Sequence, residues 1–462
     1  MGIPTSVYKH PSFAGLIGVS QQDITPPVGI YSRNWGAAAY DVAEGIHQPL
    51  KLTCLSFQNS ANEKPLVLIS ADLGWWKRSL DEWTLRGKLL EALELEPSRL
   101  MFCLSHTHAG PGICTDDKDK PGGHLIAPYL QYILGQSVLA ARQSLASAKP
   151  AVLTWHYGKS ALATNRDLPQ QDKDRLAVGF NPGKPADDTL LVGRVTDSQG
   201  NTFATIVNYA CHPTTLAWDN RLISPDYIGS MRETVEQQIA SPCLFLQGAS
   251  GELAPAEQYV GETALAERYG RQLGYDVLST LESMLAPSTK LSFSKIIESG
   301  APLAVWKNTE YQPASTLLAE LVKVSLPLKA LPSLSEIEME WAQTNDRVLK
   351  ERLLRKRGVR QAVGDSDHAA IGLWVWRLGD SVIIGQPNEA YSCFQQALRQ
   401  QLAPAAVAVI NVANGHIGYL PPQELYNQDM YSVWQTPFAA GSLEALKRQA
   451  LETANHLLSQ IG

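Results

Sequence analysis

Six short runs dense in aliphatic and β-branched residues punctuate the chain: PLVLIS (65–70), RLMFCLS (99–105), FATIVNYA (203–210), CLFLQG (243–248), SVIIG (381–385) and AVAVINV (406–412). Apolar runs this short, bounded by turn residues, read as strands buried on both faces. Between them, stretches 76–95, 126–147, 225–239 and 262–284 carry helical periodicity. Strands alternating with helices predict an α/β fold, a mixed β-sheet core flanked by helices. No internal repeat or low-complexity linker interrupts the pattern, so residues 1–462 are expected to form a single domain. Residues 313–360 stand apart as a long, charged, helical segment ending in RLLRKRGVR, whose basic cluster reads as a solvated helix face. A last helix is expected to open with Ser442 as N-cap and to bury Leu443, Leu446, Ala450, Ala454, Leu457 and Ile461.

Composition closes off several function classes. With 39 Lys+Arg against 45 Asp+Glu, the chain has no electrostatic footprint for nucleic acid. No apolar stretch approaches the ~18 residues that span a bilayer, so no integral membrane segment is expected. The opening MGIPTSVYKHPSFAG lacks the apolar core of a secretory leader. The six cysteines show no C-x-x-C spacing and read as small core residues in a reducing compartment. Together these predict a cytoplasmic protein.

Several of the candidate strands run into groups able to bind metal. RLMFCLS leads to His106 and His108, FATIVNYAC to His212, SVIIGQPN to Glu389, and AVAVINVANGHIG to His416 and Tyr419. In α/β sheets, ligands gather at the carboxyl ends of strands, and imidazole with carboxylate suits Zn²⁺. The period of two puts His106 and His108 on one face of an extended segment. Two such histidines also fit a hydrogen-bonded core, and a glutamate just past a strand also fits a helix start; the coincidence at strand ends favours a zinc site there. A rival is Ser250 in QGASG, but a nucleophile elbow needs G-x-S-x-G and Gly248-Ala249-Ser250-Gly251 is one residue short. It reads as a tight glycine turn. The Trp75–Trp76 pair and Trp218 are candidates to line an apolar pocket.

SHTHAGPG (105–112), NYACHPTTL (208–216), NRDLP (165–169), PNEAY (387–391) and NGHIGY (414–419), with GVSQQDITPPVGI and GIHQPL near the start, resemble the neutral ceramidase family. The resemblance runs from about residue 15 to about residue 435 and implies the catalytic domain of a zinc enzyme that cleaves an N-acyl amide. It implies His106, His212, Glu389 and Tyr419 as zinc ligands. His108 corresponds to a histidine beside the metal-bound water, while Arg166 and Tyr431 correspond to groups that position substrate and stabilise the reacting carbonyl. His47 corresponds to a histidine of the family's N-terminal part and is expected in substrate binding. Two departures stand out. Ala254 in GELAPAE occupies the place of a serine regarded as essential in the family, and no β-sandwich domain of the kind found in secreted ceramidases is expected after Tyr431.

These readings combine into a zinc-dependent amidohydrolase for linear amides, acting on a small, soluble N-acyl or carboxylate-bearing molecule rather than ceramide. Zinc would acidify a water and polarise the carbonyl. His108 would serve as general base and then acid, and Tyr431 or Arg166 would donate to the oxyanion. Arg166 would also be free to hold a substrate carboxylate. The same residues suit acyl transfer to an amine, or ester and lactone cleavage. A non-catalytic metal- or ligand-binding relic is the reading from another class.

Overall fold

The computed structural model describes residues 7–460. The apolar runs become strands whose alternate residues face two different cores, as a period of two requires. In Leu66–Ala71, Val67 and Ile69 pack toward helices Ser79–Leu93 and Ile126–Ala146, while Leu66 and Leu68 face a second sheet. Burial on both faces explains why the run is apolar but for Ser70, whose hydroxyl donates to the Phe245 carbonyl.

Eight strands form the larger sheet, in the order 243–247, 202–209, 189–197, 149–159, 12–23, 51–58, 66–71 and 100–104. Four more, 317–327, 368–378, 381–385 and 406–410, form the second. The sheets stack face to face around Phe13, Phe57, Trp155, Trp374, Trp376 and Ile383. Helices Ser79–Leu93 and Ile126–Ala146 cover one end of the large sheet's outer face, and Tyr227–Ile239 and Thr263–Glu282 cover the other. Ser392–Gln401 and Ser442–Ser459 cover the small sheet. The result is four layers, helix on sheet on sheet on helix. Among the described residues, no helix is long and apolar enough to cross a membrane.

Parallel pairing is confined to three strand pairs within these sheets: 66–71 with 100–104, 202–209 with 243–247, and 381–385 with 406–410. Each pair is joined by a crossover helix, as parallel strands require. Asparagine side chains lock these pairs together where backbone partners are missing. Asn208 donates to the Val409 carbonyl (2.8 Å) and accepts from the Val409 amide (3.2 Å). Asn414, at φ 53°, accepts from the Phe102 amide (2.8 Å) and donates to the Leu100 carbonyl (2.8 Å), covering the free edge of that strand.

Two expectations need correction. The segment expected to be helical from 313 contains the strand Leu317–Pro327, paired antiparallel along its whole length with His368–Leu378. Its V-K-V-S-L stretch alternates, with Val324 and Leu326 buried and Lys323 and Ser325 exposed. Helices Leu334–Gln343 and Arg347–Val363 follow. The last helix starts at Ser442, but Gly441, at φ 89°, is its N-cap and the Ser442 side chain makes no capping bond. Ile461 lies outside the described residues.

Candidate metal centre and cavity

Each crossover pair delivers a polar residue to one point between the sheets. Past strand 100–104, the Ser105 and His106 amides donate to the Ala71 and Leu73 carbonyls, keeping the chain tethered to the neighbouring strand. His106 adopts φ 69° there, a left-handed conformation that costs a non-glycine residue energy and clusters at functional sites. Past strand 202–209, His212 donates its amide to the Leu253 carbonyl. Glu389 and Tyr419 lie side by side in a short parallel pair, 389–390 with 419–420.

Carbonyl groups set the tautomers. His106 Nδ1 faces the Gly74 carbonyl at 3.2 Å and His212 Nδ1 faces that of Ser250 at 2.7 Å. A carbonyl only accepts, so both Nδ1 atoms carry the proton and both Nε2 atoms present lone pairs when the rings are neutral. Burial, with the charge of Arg166 added, pushes His212 down to about 4. Its Nε2 nevertheless faces the Glu389 carboxylate at 2.8 Å, and His106 Nε2 faces the same oxygen at 3.4 Å. Burial raises the Glu389 carboxyl, but the surrounding imidazoles outweigh it and hold the group well below its usual value. Arg166 Nη2 reaches the His212 lone pair at 3.2 Å, but among the described residues no donor meets that of His106. Lone pairs converging on a carboxylate oxygen repel one another unless a cation lies among them. That arrangement, with the orphaned His106 Nε2, fits a divalent metal ion.

His108 lies closer to this point than a purely second-layer group. The nearest ring nitrogens of His106, His108 and His212 all fall within 4.8 Å of one another, a cluster able to hold a metal. Both His108 nitrogens are buried, and neither has a hydrogen-bond partner among the described residues. Burial, reinforced by His106 and His212, holds this imidazole well below its usual value, so it stays neutral. His416 Nε2 meets the second Glu389 oxygen at 2.8 Å.

The Tyr419 hydroxyl stands 3.5 Å from His212 Nε2 and accepts from Arg166 Nη2 at 3.0 Å. Arg166 also donates to the Gly251 carbonyl from Nε (3.3 Å) and Nη2 (2.8 Å). Only Nη1 remains uncommitted, so the expected fork on a substrate carboxylate is not free to form. QGASG proves to be the support for this corner: Ser250 and Gly251 give their carbonyls to His212 and Arg166, and the Ser250 hydroxyl accepts from Gln247 (2.7 Å). Ala254 is fully buried in the strand pair 253–255 with 163–165 and is not part of the cavity wall. His47 departs from expectation. Its ring is held between Ser224 (2.9 Å) and Glu267 (3.1 Å), away from the cavity, because Gly45–Ile46 pairs with Leu222–Ile223 and turns the following side chain toward helix 263–282.

A cavity of about 270 Å³ opens beside the cluster. Trp75 and Trp76 line it together with Trp35 and Tyr259, while Trp218 stacks behind Tyr259 at 5.7 Å. Its far wall is the helix Arg347–Val363, which the sequence reading placed in solvent. Arg355 projects inward from it, donating to the Tyr431 hydroxyl at 2.7 Å and the Asn34 carbonyl at 2.8 Å, with Glu351 at 3.3 Å. Tyr431 thus accepts from a cation and keeps its own O–H to donate. The one usable sequence signal was Gly358 amid charges. A Cβ there would meet the Lys77 carbonyl at 2.3 Å, so this helix must press against the cavity loop.

No protein-family model matches the chain. The neutral ceramidase of Pseudomonas aeruginosa is 24% identical over 255 residues, 52% of this chain and 36% of that protein, so the aligned part spans little more than a third of the relative's length. A solved structure of neutral ceramidase from the same organism superposes over 97% of this chain and 75% of its own, with TM-score 0.68 and 16% identity. A ceramidase complexed with C2 gives TM-score 0.67 and 16% identity, over 97% and 76% of the two chains. The fold of these ceramidases is thus shared along nearly the whole chain, with a sequence likeness to one of them over half of it.

Proposed function

We propose that this protein is a zinc-dependent hydrolase of linear N-acyl amides, with a substrate smaller and more polar than ceramide. The observation that carries the reading is the convergence of His106 Nε2, His212 Nε2 and the Glu389 carboxylate, with both Nδ1 protons fixed on carbonyls, beside a cavity large enough for a small substrate. Zinc held by His106, His212 and Glu389, with Tyr419 as a further ligand, would supply Lewis acidity and a more acidic water.

The remaining steps belong to the chain's own residues. Neutral His108, with two unpartnered nitrogens at the cavity wall, accepts a proton from the attacking water and returns it to the leaving amine. Tyr431, polarised by Arg355, donates its hydroxyl to the oxygen on which charge develops. Arg166 keeps Tyr419 and His212 in place. The tryptophan walls exclude water. Ala254, in the place of the family's serine, lies off the cavity wall. What disfavours ceramide is instead the small cavity and the cations that line the groove beside it.

The test is purification with metal analysis, followed by a panel of N-acyl amines and N-acyl amino acids beside short-chain ceramide. Zinc near one equivalent with chelator-sensitive release of amine is the expected result. Undiminished hydrolysis by metal-free protein would sink the proposal.

A further inference from the structure

A second cavity of about 430 Å³ adjoins the first, and Arg352, Val359 and Gln435 line both. Its floor is apolar, built from Leu331, Pro332, Ile337, Val359, Trp434 and Pro437. Its charged lining is cationic throughout, with Lys329, Arg352, Lys356 and Arg360 and no acidic residue. On helix Arg347–Val363, Arg347, Arg355, Arg357 and Arg360 each pair with a carboxylate. Arg352 instead lies over the Trp434 ring at 5.0 Å, and neither it nor Lys356 has a carboxylate partner among the described residues. Two like charges four residues apart on a helix repel, so this pair costs stability unless an anion joins it. Lys329 completes the cluster from the other side, bonded only to the Val433 carbonyl at 2.7 Å. Burial, and then the charge of Lys356, push its ammonium down to about 8.

A second observation points to a ligand at the junction. Gln435 is 6% exposed, and its Nε2 is a buried donor without a partner, on the wall shared by both cavities. An unsatisfied buried donor is costly, and a substrate oxygen passing between the cavities satisfies it.

We infer that this groove is a second substrate subsite, which takes the remote end of the amide substrate as an apolar chain terminating in a carboxylate. The geometry orders the recognition: acyl carbon at the His106–His212–Glu389 centre, a polar oxygen at Gln435, methylenes over Val359 and Trp434, and the anion between Arg352, Lys356 and Lys329. The inference rests on the amide-hydrolase reading for what lies at the centre, but its test reads binding alone.

The probes are methyl-ketone carboxylates of increasing methylene length, in which the ketone replaces the scissile amide and is not hydrolysed, with their methyl esters as neutral counterparts. Titration calorimetry on the zinc-loaded protein is expected to show affinity rising with length, and each long acid binding about tenfold more tightly than its ester. The double variant Arg352→Gln, Lys356→Gln is expected to bring acid and ester within about twofold while leaving ester affinity undiminished, which also shows that the fold is intact. Equal affinity of acid and ester in the wild type would overturn the inference, as would a preference that survives the double variant. If the preference appears but no amide is cleaved, the hydrolase reading fails and the subsite stands. Amide cleavage without the preference leaves the reverse.

Discussion

The two walls of the cavity are built on opposite plans. On the strand-end wall, His106, His212 and Arg166 are tied to main-chain carbonyls of Gly74, Ser250 and Gly251. On the helical wall, Arg355 is tied to the side chains of Tyr431 and Glu351 as well as to the Asn34 carbonyl. Among the described residues Arg352 and Lys356 have no carboxylate partner and Gln435 Nε2 no hydrogen-bond partner, Arg352 resting on the Trp434 face. Backbone anchors survive substitution elsewhere, because they depend on the crossover topology rather than on a neighbour's identity. Side-chain anchors change whenever either partner changes. The first wall therefore suits chemistry that must stay constant, and the second suits recognition that can diverge.

The largest expected effect belongs to the strand-end wall. His106→Ala, His212→Ala and Glu389→Gln should each drop zinc from about one equivalent to near zero, since loss of one ligand from a site of three or four leaves it open and labile, and turnover should fall to background. Plasma emission spectrometry on dialysed protein reads this directly. Full zinc content in the His212 variant would break the comparison, because the backbone-anchored wall would then not be the metal wall.

His108 sharpens the boundary between ligand and catalyst. His108→Ala should keep its zinc and lose roughly 10²–10⁴-fold in turnover, the usual contribution of a positioned acid–base group. Its nitrogens lie as near to His106 and His212 as a ligand's would. Zinc loss as complete as in His106→Ala would make all three imidazoles ligands and leave proton transfer to another group.

Tyr431→Phe, on the helical wall, should retain zinc and lose about 10²-fold in turnover, at the lower end for one oxyanion donor. The effect should fall on kcat more than on KM, because the bond strengthens as charge develops. A change confined to KM would demote Tyr431 to substrate binding and make the helical wall purely a recognition surface.

This division also explains what the sequence disclosed. The gathering of His106, His108, His212, Glu389, His416 and Tyr419 was legible because each follows an aliphatic run, and strand ends are where sheets of this kind place ligands. The asparagine clamps were not, since Asn208 and Asn414 act on strands some 200 and 300 residues away in sequence. Arg355 was hidden in RLLRKRGVR because burial of a charge depends on partners, here Glu351 and Tyr431, that no periodicity announces. The strand Leu317–Pro327 was missed because Leu317–Val322 also suits a helix, and its partner strand lies beyond two intervening helices. Likewise His47 sat in a matching motif, but its surroundings turn it toward Glu267.

The smallest expected effect concerns Ala254. If the missing serine alone set this domain apart from its ceramidase relatives, Ala254→Ser would create ceramide cleavage. The structure argues otherwise. Ala254 is fully enclosed, its carbonyl accepts from Thr164 at 2.9 Å, and it is not part of the cavity wall. A hydroxyl added there gains no substrate contact and, without a partner, costs about 1–3 kcal/mol of stability. Ala254→Ser should therefore change turnover of the preferred amide by less than about threefold, lower the melting temperature slightly, and leave short-chain ceramide a poor substrate. The paired measurement is the Arg352→Gln, Lys356→Gln variant on the same ceramide, since removing unpaired cations from the groove admits a neutral tail more readily. Ceramide hydrolysis that rises with the serine but not with the groove variant would reverse the comparison, placing specificity in the strand-end wall.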